Sequence, residues 1–211
     1  MSRHADWYFD FISPFAYLQF KHFHRLPADL EVTLKPVLFA GLLGHWEHKG
    51  PAEIPAKRVQ TYRHTHWLAR KLGMPFRTPP AHPFNPLRVL RLAIALDADH
   101  AAVEAIFNFI WGMGGDVDDD AALARVAARF GVSDLAAAIG RDEVKARLRA
   151  NTEEAIARGV YGVPTFAVGD ELFWGFDTTD MLLDYLADPS MMQSAEMQRL
   201  AHMPMAASRK I

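Results

Sequence analysis

The sequence predicts an α/β fold, a small sheet flanked by helices and interrupted by a large all-helical insertion. Three observations carry this. Residues 6–12 form an aromatic and apolar run that leads straight into Ser13-Pro14. Near the other end, Gly169-Asp170 separates two short strand-like runs, the signal of a two-residue hairpin. Between about 40 and 158 no strand pattern is convincing, and helical signals recur.

The elements follow in order. Residues 6–12 suit a strand buried on both faces. Ser13 then supplies an N-cap and Pro14 the first helical position. The helix carries Phe15, Leu18, Phe23 and Leu26 and stops at Pro27. Leu30 to Leu34 alternate with Glu31 and Thr33 and read as a second strand, closed by Lys35-Pro36. Residues 55–72 suit a helix with Pro55 at its start and Gly73 past its end. Pro75 to Pro86 holds five prolines and is expected to be extended chain. Asn85-Pro86 caps a helix to about Asp97. Val103, Ile106, Phe107, Ile110 and Trp111 form one helical stripe, broken by Gly112, Gly114 and Gly115. Further helices open at Asp118–Asp120, at Ser133 and at Asp142, the last running to Arg158. Thr165 to Val168 and Glu171 to Trp174 form the hairpin. Thr178 or Thr179 caps a final helix through Leu186, ended by Asp188-Pro189.

Distant strands must join one sheet, because an isolated pair is only marginally stable. The order gives a thioredoxin-like α/β domain from 1–39 and 159–187, a helical insertion domain over 40–158, and a loose methionine-rich tail over 188–211 that is free or packs on a partner chain.

Composition excludes several functions. With 211 residues, half of them hydrophobic, the chain can bury a sizeable core. Its net charge of -2 gives no overall pull toward nucleic acid. Signal-peptide features and membrane-length apolar runs are missing, so a soluble cytoplasmic protein is expected. The absence of cysteine removes disulfide exchange and thiolate catalysis by the protein itself. His45 with His48, and His64 with His66, lack a completing carboxylate at ligand spacing, so no metal is expected. The aspartate run 116–120 lacks calcium-loop spacing and reads as a helix cap.

Ser13 reads first as a plain N-cap. The same geometry places a hydroxyl and free N–H groups where an anion such as a thiolate would sit. No general base stands beside it in sequence, so it does not read as a nucleophile of its own. Val163-Pro164, entering a strand, would present the Val163 backbone groups to a peptide-like ligand if the bond were cis. Phe176-Asp177-Thr178-Thr179 reads as a helix cap, or as a holder for the charged γ-glutamyl end of glutathione.

Three segments carry a family resemblance: Tyr8-Phe9-Asp10-Phe11-Ile12-Ser13-Pro14-Phe15-Ala16-Tyr17, Gly159-Val160-Tyr161-Gly162-Val163-Pro164-Thr165-Phe166, and Gly169-Asp170-Glu171-Leu172-Phe173-Trp174-Gly175. Together, and nearly over the whole chain to about 187, they resemble the 2-hydroxychromene-2-carboxylate isomerases. These group with kappa-class glutathione transferases in the DsbA-like branch of the thioredoxin superfamily. The resemblance implies a glutathione-dependent cis–trans isomerase of aromatic breakdown. In it a glutathione thiolate, held by Ser13, adds reversibly to a conjugated carbon. The ring opens, the former double bond, now single, rotates, and the thiolate leaves to restore conjugation, giving a trans-benzylidenepyruvate. Val163 and Pro164 would hold the cysteinyl backbone of glutathione, and Phe176, Asp177 and Thr178 its γ-glutamyl end.

The chain departs from the isomerases at Thr178, where they usually carry arginine, and after Pro36, where they place a lysine and an asparagine. Here that segment offers Leu42-Leu43-Gly44 and His45-Trp46-Glu47-His48. Substrate contacts would then fall to His48, Asn85 and Arg88. The family pairs as homodimers, so a homodimer is expected. The competing readings are a kappa-like glutathione transferase and a non-enzymatic thioredoxin-like module that holds a peptide.

Overall fold

The computed structural model describes residues 3–207. Residues 1–2 of the expected first domain and 208–211 of the expected tail lie outside the described residues. Strand β1 (Arg3–Phe9) pairs in parallel with β2 (Leu30–Pro36) and antiparallel with β3 (Thr165–Val168); β4 (Glu171–Trp174) completes the order β2-β1-β3-β4. Val168 pairs with Glu171, so Gly169-Asp170 is indeed a two-residue hairpin loop. The fold class is the one expected, a four-stranded mixed sheet with many helices.

Strand β1 leaves the sheet at Phe9, earlier than the aromatic run suggests. The Asp10 carboxylate accepts from the Ile12 N–H at 3.0 Å, and the Asp10 carbonyl from the Ser13 N–H at 3.0 Å. An aspartate that satisfies the backbone two residues on makes a turn, whatever the hydrophobicity around it. Helix α1 (Pro14–Phe20) follows, shorter than predicted, and a separate 3₁₀ turn covers Phe23–Arg25.

Between β2 and β3 lie α2 (Phe39–His45), α3 (Pro55–Lys71), α4 (Leu87–Ala95), α5 (His100–Phe107), α6 (Asp120–Ala128), α7 (Leu135–Gly140) and α8 (Asp142–Ala157). Helix α2 has no counterpart in the sequence reading. Its Gly41 and Gly44 lower helix propensity, and Leu38 offers no side-chain cap. Its orphan donors are met from elsewhere: Leu38 N–H by Thr152 Oγ1 at 3.0 Å and Phe39 N–H by Asp10 at 2.9 Å. Helix α7 is capped by Asp134 rather than started by Ser133. After β4 come α9 (Thr179–Ala187) and, in the tail expected to be loose, a 3₁₀ turn (Pro189–Gln193) and α10 (Ala195–Ala201). No residue of α10 is buried.

The sheet and the insertion share one core. Trp7, Phe9 and Phe11 join Phe107, Ile110, Trp111 and Leu123 in a single cluster, all with 0 % exposure. On the other face Tyr8 packs with Val37, Leu42, Ala155, Val160 and Val163. Burying one such large side chain contributes about 1.5–3 kcal/mol. The predicted stripe on α5 is buried at all five positions, but the helix widens into a π turn over Asn108–Gly112. That turn brings the Trp111 indole N–H onto the Phe11 carbonyl at 2.8 Å.

Candidate active site around Ser13

Ser13 stands where β1, α1 and the Val163-Pro164 turn converge. It is the N-cap of α1, and its Oγ accepts from the Ala16 N–H at 3.2 Å. The Val163-Pro164 peptide is cis. The Ser13 hydroxyl points at the Val163 carbonyl, 3.4 Å away. That is long for an O–H···O bond, whose usual distance is about 2.7–2.8 Å. The hydroxyl proton is therefore only loosely held and can turn toward an anion beside it. The Val163 carbonyl faces Ser13 rather than solvent, while the Val163 N–H has no partner among the described residues.

The turn carrying Ser13 is fixed from three sides. Trp111 donates to the Phe11 carbonyl, and His82 Nε2 lies 2.8 Å from the Ile12 carbonyl. His82 is in turn held by Tyr62 of α3, whose hydroxyl is 2.8 Å from Nδ1 and 2.7 Å from the His82 carbonyl. Burial holds the His82 imidazole below its ordinary pKa. The neutral ring then donates from Nε2. Beneath the turn lies Asp10, fully buried, with both oxygens engaged by the Ile12 and Phe39 N–H groups. Burial outweighs those two donors and pushes its pKa up to about 7.

The third wall is the Gly175–Thr179 turn after β4. Buried Gln19 of α1 ties it down, donating to the Gly175 carbonyl at 3.0 Å and Thr179 Oγ1 at 3.1 Å while accepting from the Trp7 indole at 2.7 Å. Gly175 has φ +94°, and a side chain on it would meet the Asp177 carboxylate at 2.5 Å. Gly162 is packed as closely, with Trp174 Nε1 2.3 Å from where a Cβ would stand. Gln19→Ala is expected to leave the Trp7 N–H buried and unpaired, which costs about 2–3 kcal/mol. Differential scanning calorimetry should show a Tm fall of roughly 5–10 °C for a chain of this size.

The predicted site residues separate into two groups. Ser13, Val163 and Pro164 meet, as just described. Of the γ-glutamyl candidates, Thr178 turns its hydroxyl back to the Gly175 carbonyl at 3.1 Å and Phe176 packs edge-on against His22. Asp177 is exposed, with no hydrogen-bond partner among the described residues. Burial first, and then the Asp177 charge, push the Tyr161 phenol upward, and Tyr161 lies 5.1 Å from Trp174. Both rings are close to half exposed.

Among the described residues no hydrogen bond or ion pair joins the substrate candidates to one another or to Ser13. Arg88 forms an ion pair with Asp120 and donates to the Val117 carbonyl at 3.3 Å. With Asp120, Leu135 and Ile139 it lines a cavity of about 430 Å³ between α4, α6 and α7, none of whose lining residues belongs to the Ser13 site. In this structure the carboxylate in the first turn of α6 pairs with the Arg88 guanidinium. Asn85 accepts from the Leu87 N–H at 3.1 Å and serves α4. His48 is exposed just past α2, without a side-chain partner among the described residues. Among those residues no group of His, Asp and Glu is arranged to hold a metal ion.

A serine at the start of α1 facing the carbonyl before a cis-proline, on this strand order, can be set beside known proteins. A family model described as the DSBA-like thioredoxin domain matches residues 5–187. The chain belongs to that family. Within it the chain is 30% identical over 189 residues to a 2-hydroxychromene-2-carboxylate isomerase of Pseudomonas putida, covering 84% of this chain and 91% of that one. It is 28% identical over 207 residues to glutathione S-transferase kappa 2 of Caenorhabditis elegans, covering 88% and 92%. A solved 2-hydroxychromene-2-carboxylate isomerase superposes with a TM-score of 0.75 at 27% identity, covering 92% of this chain and 98% of that one. This family member thus has isomerases and glutathione transferases as full-length relatives.

Asp10, Gln19, His82, Tyr161 and Trp174 were not singled out as site residues from sequence. Only Asp10 carries a signal, as a charge flanked on both sides by the aromatic residues of a buried run.

Proposed function

We propose that the protein is a glutathione-dependent cis–trans isomerase acting on 2-hydroxychromene-2-carboxylate or a related aromatic acid. The observation that carries the reading is the loosely held Ser13 hydroxyl beside the Val163 carbonyl, with no base hydrogen-bonded to it among the described residues. The site fits the tripeptide: the Val163 N–H has no partner among the described residues, and the Asp177 carboxylate stands free for an ammonium group. When bound, glutathione supplies a thiolate, the nucleophile that a chain without cysteine lacks.

The chain's own part is to hold that sulfur charge. Helix α1 has only seven residues, so the Ser13 hydroxyl rather than the helix dipole supplies most of the stabilisation. The Val163 N–H donates to the cysteinyl backbone. Tyr161 and Trp174 offer aromatic surface at the rim. A small aromatic substrate, a cytoplasmic location and a homodimer accompany the reading. No described helix is long and apolar enough to cross a membrane.

Calorimetric titration of glutathione into the wild type, Ser13→Ala and Asp177→Ala tests it. Saturable binding is expected, weakened about tenfold in Asp177→Ala, as loss of one charge-assisted hydrogen bond predicts. No binding at millimolar glutathione would leave the fold and remove the isomerase. The likeness to a kappa transferase favours a second reading, net conjugation. Product analysis with chlorodinitrobenzene separates a stable thioether from an unchanged glutathione pool.

A further inference from the structure

The chain's charge of -2 hides a strong asymmetry. Between Glu53 and Asp97 there is no acidic residue, while Lys57, Arg58, Arg63, Arg70, Lys71, Arg77, Arg88 and Arg91 supply eight cations. The rest of the chain holds 25 acids against 15 cations. Five of the eight lie on α3, and among the described residues none of those five takes part in an ion pair. Over its seventeen residues α3 buries only Thr65 and Ala69. It is nevertheless registered to the active site, because Tyr62 holds His82 and His82 holds the Ile12 carbonyl.

One face of α3 forms a ladder of rings that begins at the helix Ser13 caps. Phe15, two residues after Ser13, meets His64 edge-on with centroids 5.8 Å apart. His64 stacks on Trp67 at 6.2 Å with an interplanar angle of 24°. Lys71 Nζ lies 5.2 Å from the Trp67 ring. Positions 64, 67 and 71 are spaced so that they share a face. Trp67 is 54 % exposed, so a large aromatic surface faces water between His64 and Lys71.

We propose that this face of α3 is a binding platform for extended aromatic carboxylates, larger than a two-ring substrate. The inference rests on the reading of Ser13 as the reactive end and names the substrate class that the same site takes. A flat anion stacks on Trp67 and His64, and Lys71 swings from the ring to the carboxylate. The unpaired cations of α3 draw such anions toward Ser13.

The test is fluorescence anisotropy of 1-pyrenecarboxylate with the full chain, without glutathione, in wild type, Trp67→Ala, Trp67→Phe and Ser13→Ala. Competition by 1-naphthoate and 1-pyrenemethanol reads ring number and charge. Expected are saturable binding in wild type, loss of at least tenfold in Trp67→Ala, recovery in Trp67→Phe, and no change in Ser13→Ala. Affinity should fall with added salt, and both competitors should be about tenfold weaker. Equal binding by Trp67→Ala with an unchanged Tm overturns the platform, as does pyrenemethanol binding as well as the acid. A Trp67-dependent dimer that ignores pyrenecarboxylate overturns it in favour of self-association. If the chromene is not isomerised while Trp67-dependent binding persists, the isomerase reading fails and the platform stands; the reverse pattern fails the platform alone.

Discussion

Replacing Ser13 by alanine is expected to lower glutathione-dependent isomerisation of 2-hydroxychromene-2-carboxylate by about 10²–10³-fold in kcat, the usual cost of removing one hydrogen-bond donor from a developing or fixed anion. The hydroxyl has two tasks in the structure. It caps α1 through the Ala16 N–H at 3.2 Å, and it offers its proton toward the Val163 carbonyl at 3.4 Å. Losing the cap costs about 1 kcal/mol. In a chain of this size that lowers Tm by only roughly 2–4 °C. A thousandfold rate loss with so small a Tm change would place the effect in the chemistry. The pH profile gives a second readout. Without the hydroxyl the bound thiol should ionise at higher pH, so part of the lost rate should return in alkaline buffer. An unchanged rate in Ser13→Ala at every pH would remove Ser13 from the mechanism.

Replacing Asp10 by asparagine should change how stability depends on pH. Burial raises the Asp10 pKa to about 7, against 3.8 for the free side chain. Between those values the folded protein holds a proton that the unfolded chain has released. The sign follows from linkage: this group's contribution is fully present below about pH 4 and is lost as pH rises through about 7. The full swing is up to about 4 kcal/mol at 1.36 kcal/mol per pH unit. Asparagine cannot titrate. It also offers one acceptor where the carboxyl offers two, so either the Ile12 or the Phe39 N–H meets an N–H instead. Asp10→Asn should therefore be less stable than wild type at pH 5, by about 2–3 kcal/mol. The gap should narrow toward pH 8. Urea unfolding at pH 5, 6.5 and 8 measures it. A gap that stays constant across that range would show that Asp10 does not titrate there. Because the same carboxyl joins the Ser13 turn to α2, glutathione-dependent turnover should fall alongside.

Much of the scaffold was legible because its signals are local. Ser13-Pro14 caps a helix by its own side chain, Gly169-Asp170 turns a hairpin by its own backbone, and Gly73, Gly131 and Gly159 end helices with positive φ where the sequence placed the stops. Helix α2 was invisible for the opposite reason, since its caps come from Asp10 and Thr152, 29 and 114 residues away. The same holds for Arg88, legible as a cation but not as the partner of Asp120.

The α/β order, the absence of any thiol, the serine at the start of α1 and the acid-free stretch that makes α3 basic can all be read from the amino acids alone. Periodicity, capping chemistry and composition need no partner to be read. The Ser13 hydroxyl facing the Val163 carbonyl across 150 residues, Trp111 and His82 pinning the turn from the insertion, and Gln19 holding the Gly175 turn emerge only in the folded chain. Those are buried polar groups paired across distant segments. Each donor and acceptor must be satisfied somewhere once water is excluded, but which partner satisfies it depends on how the chain has closed.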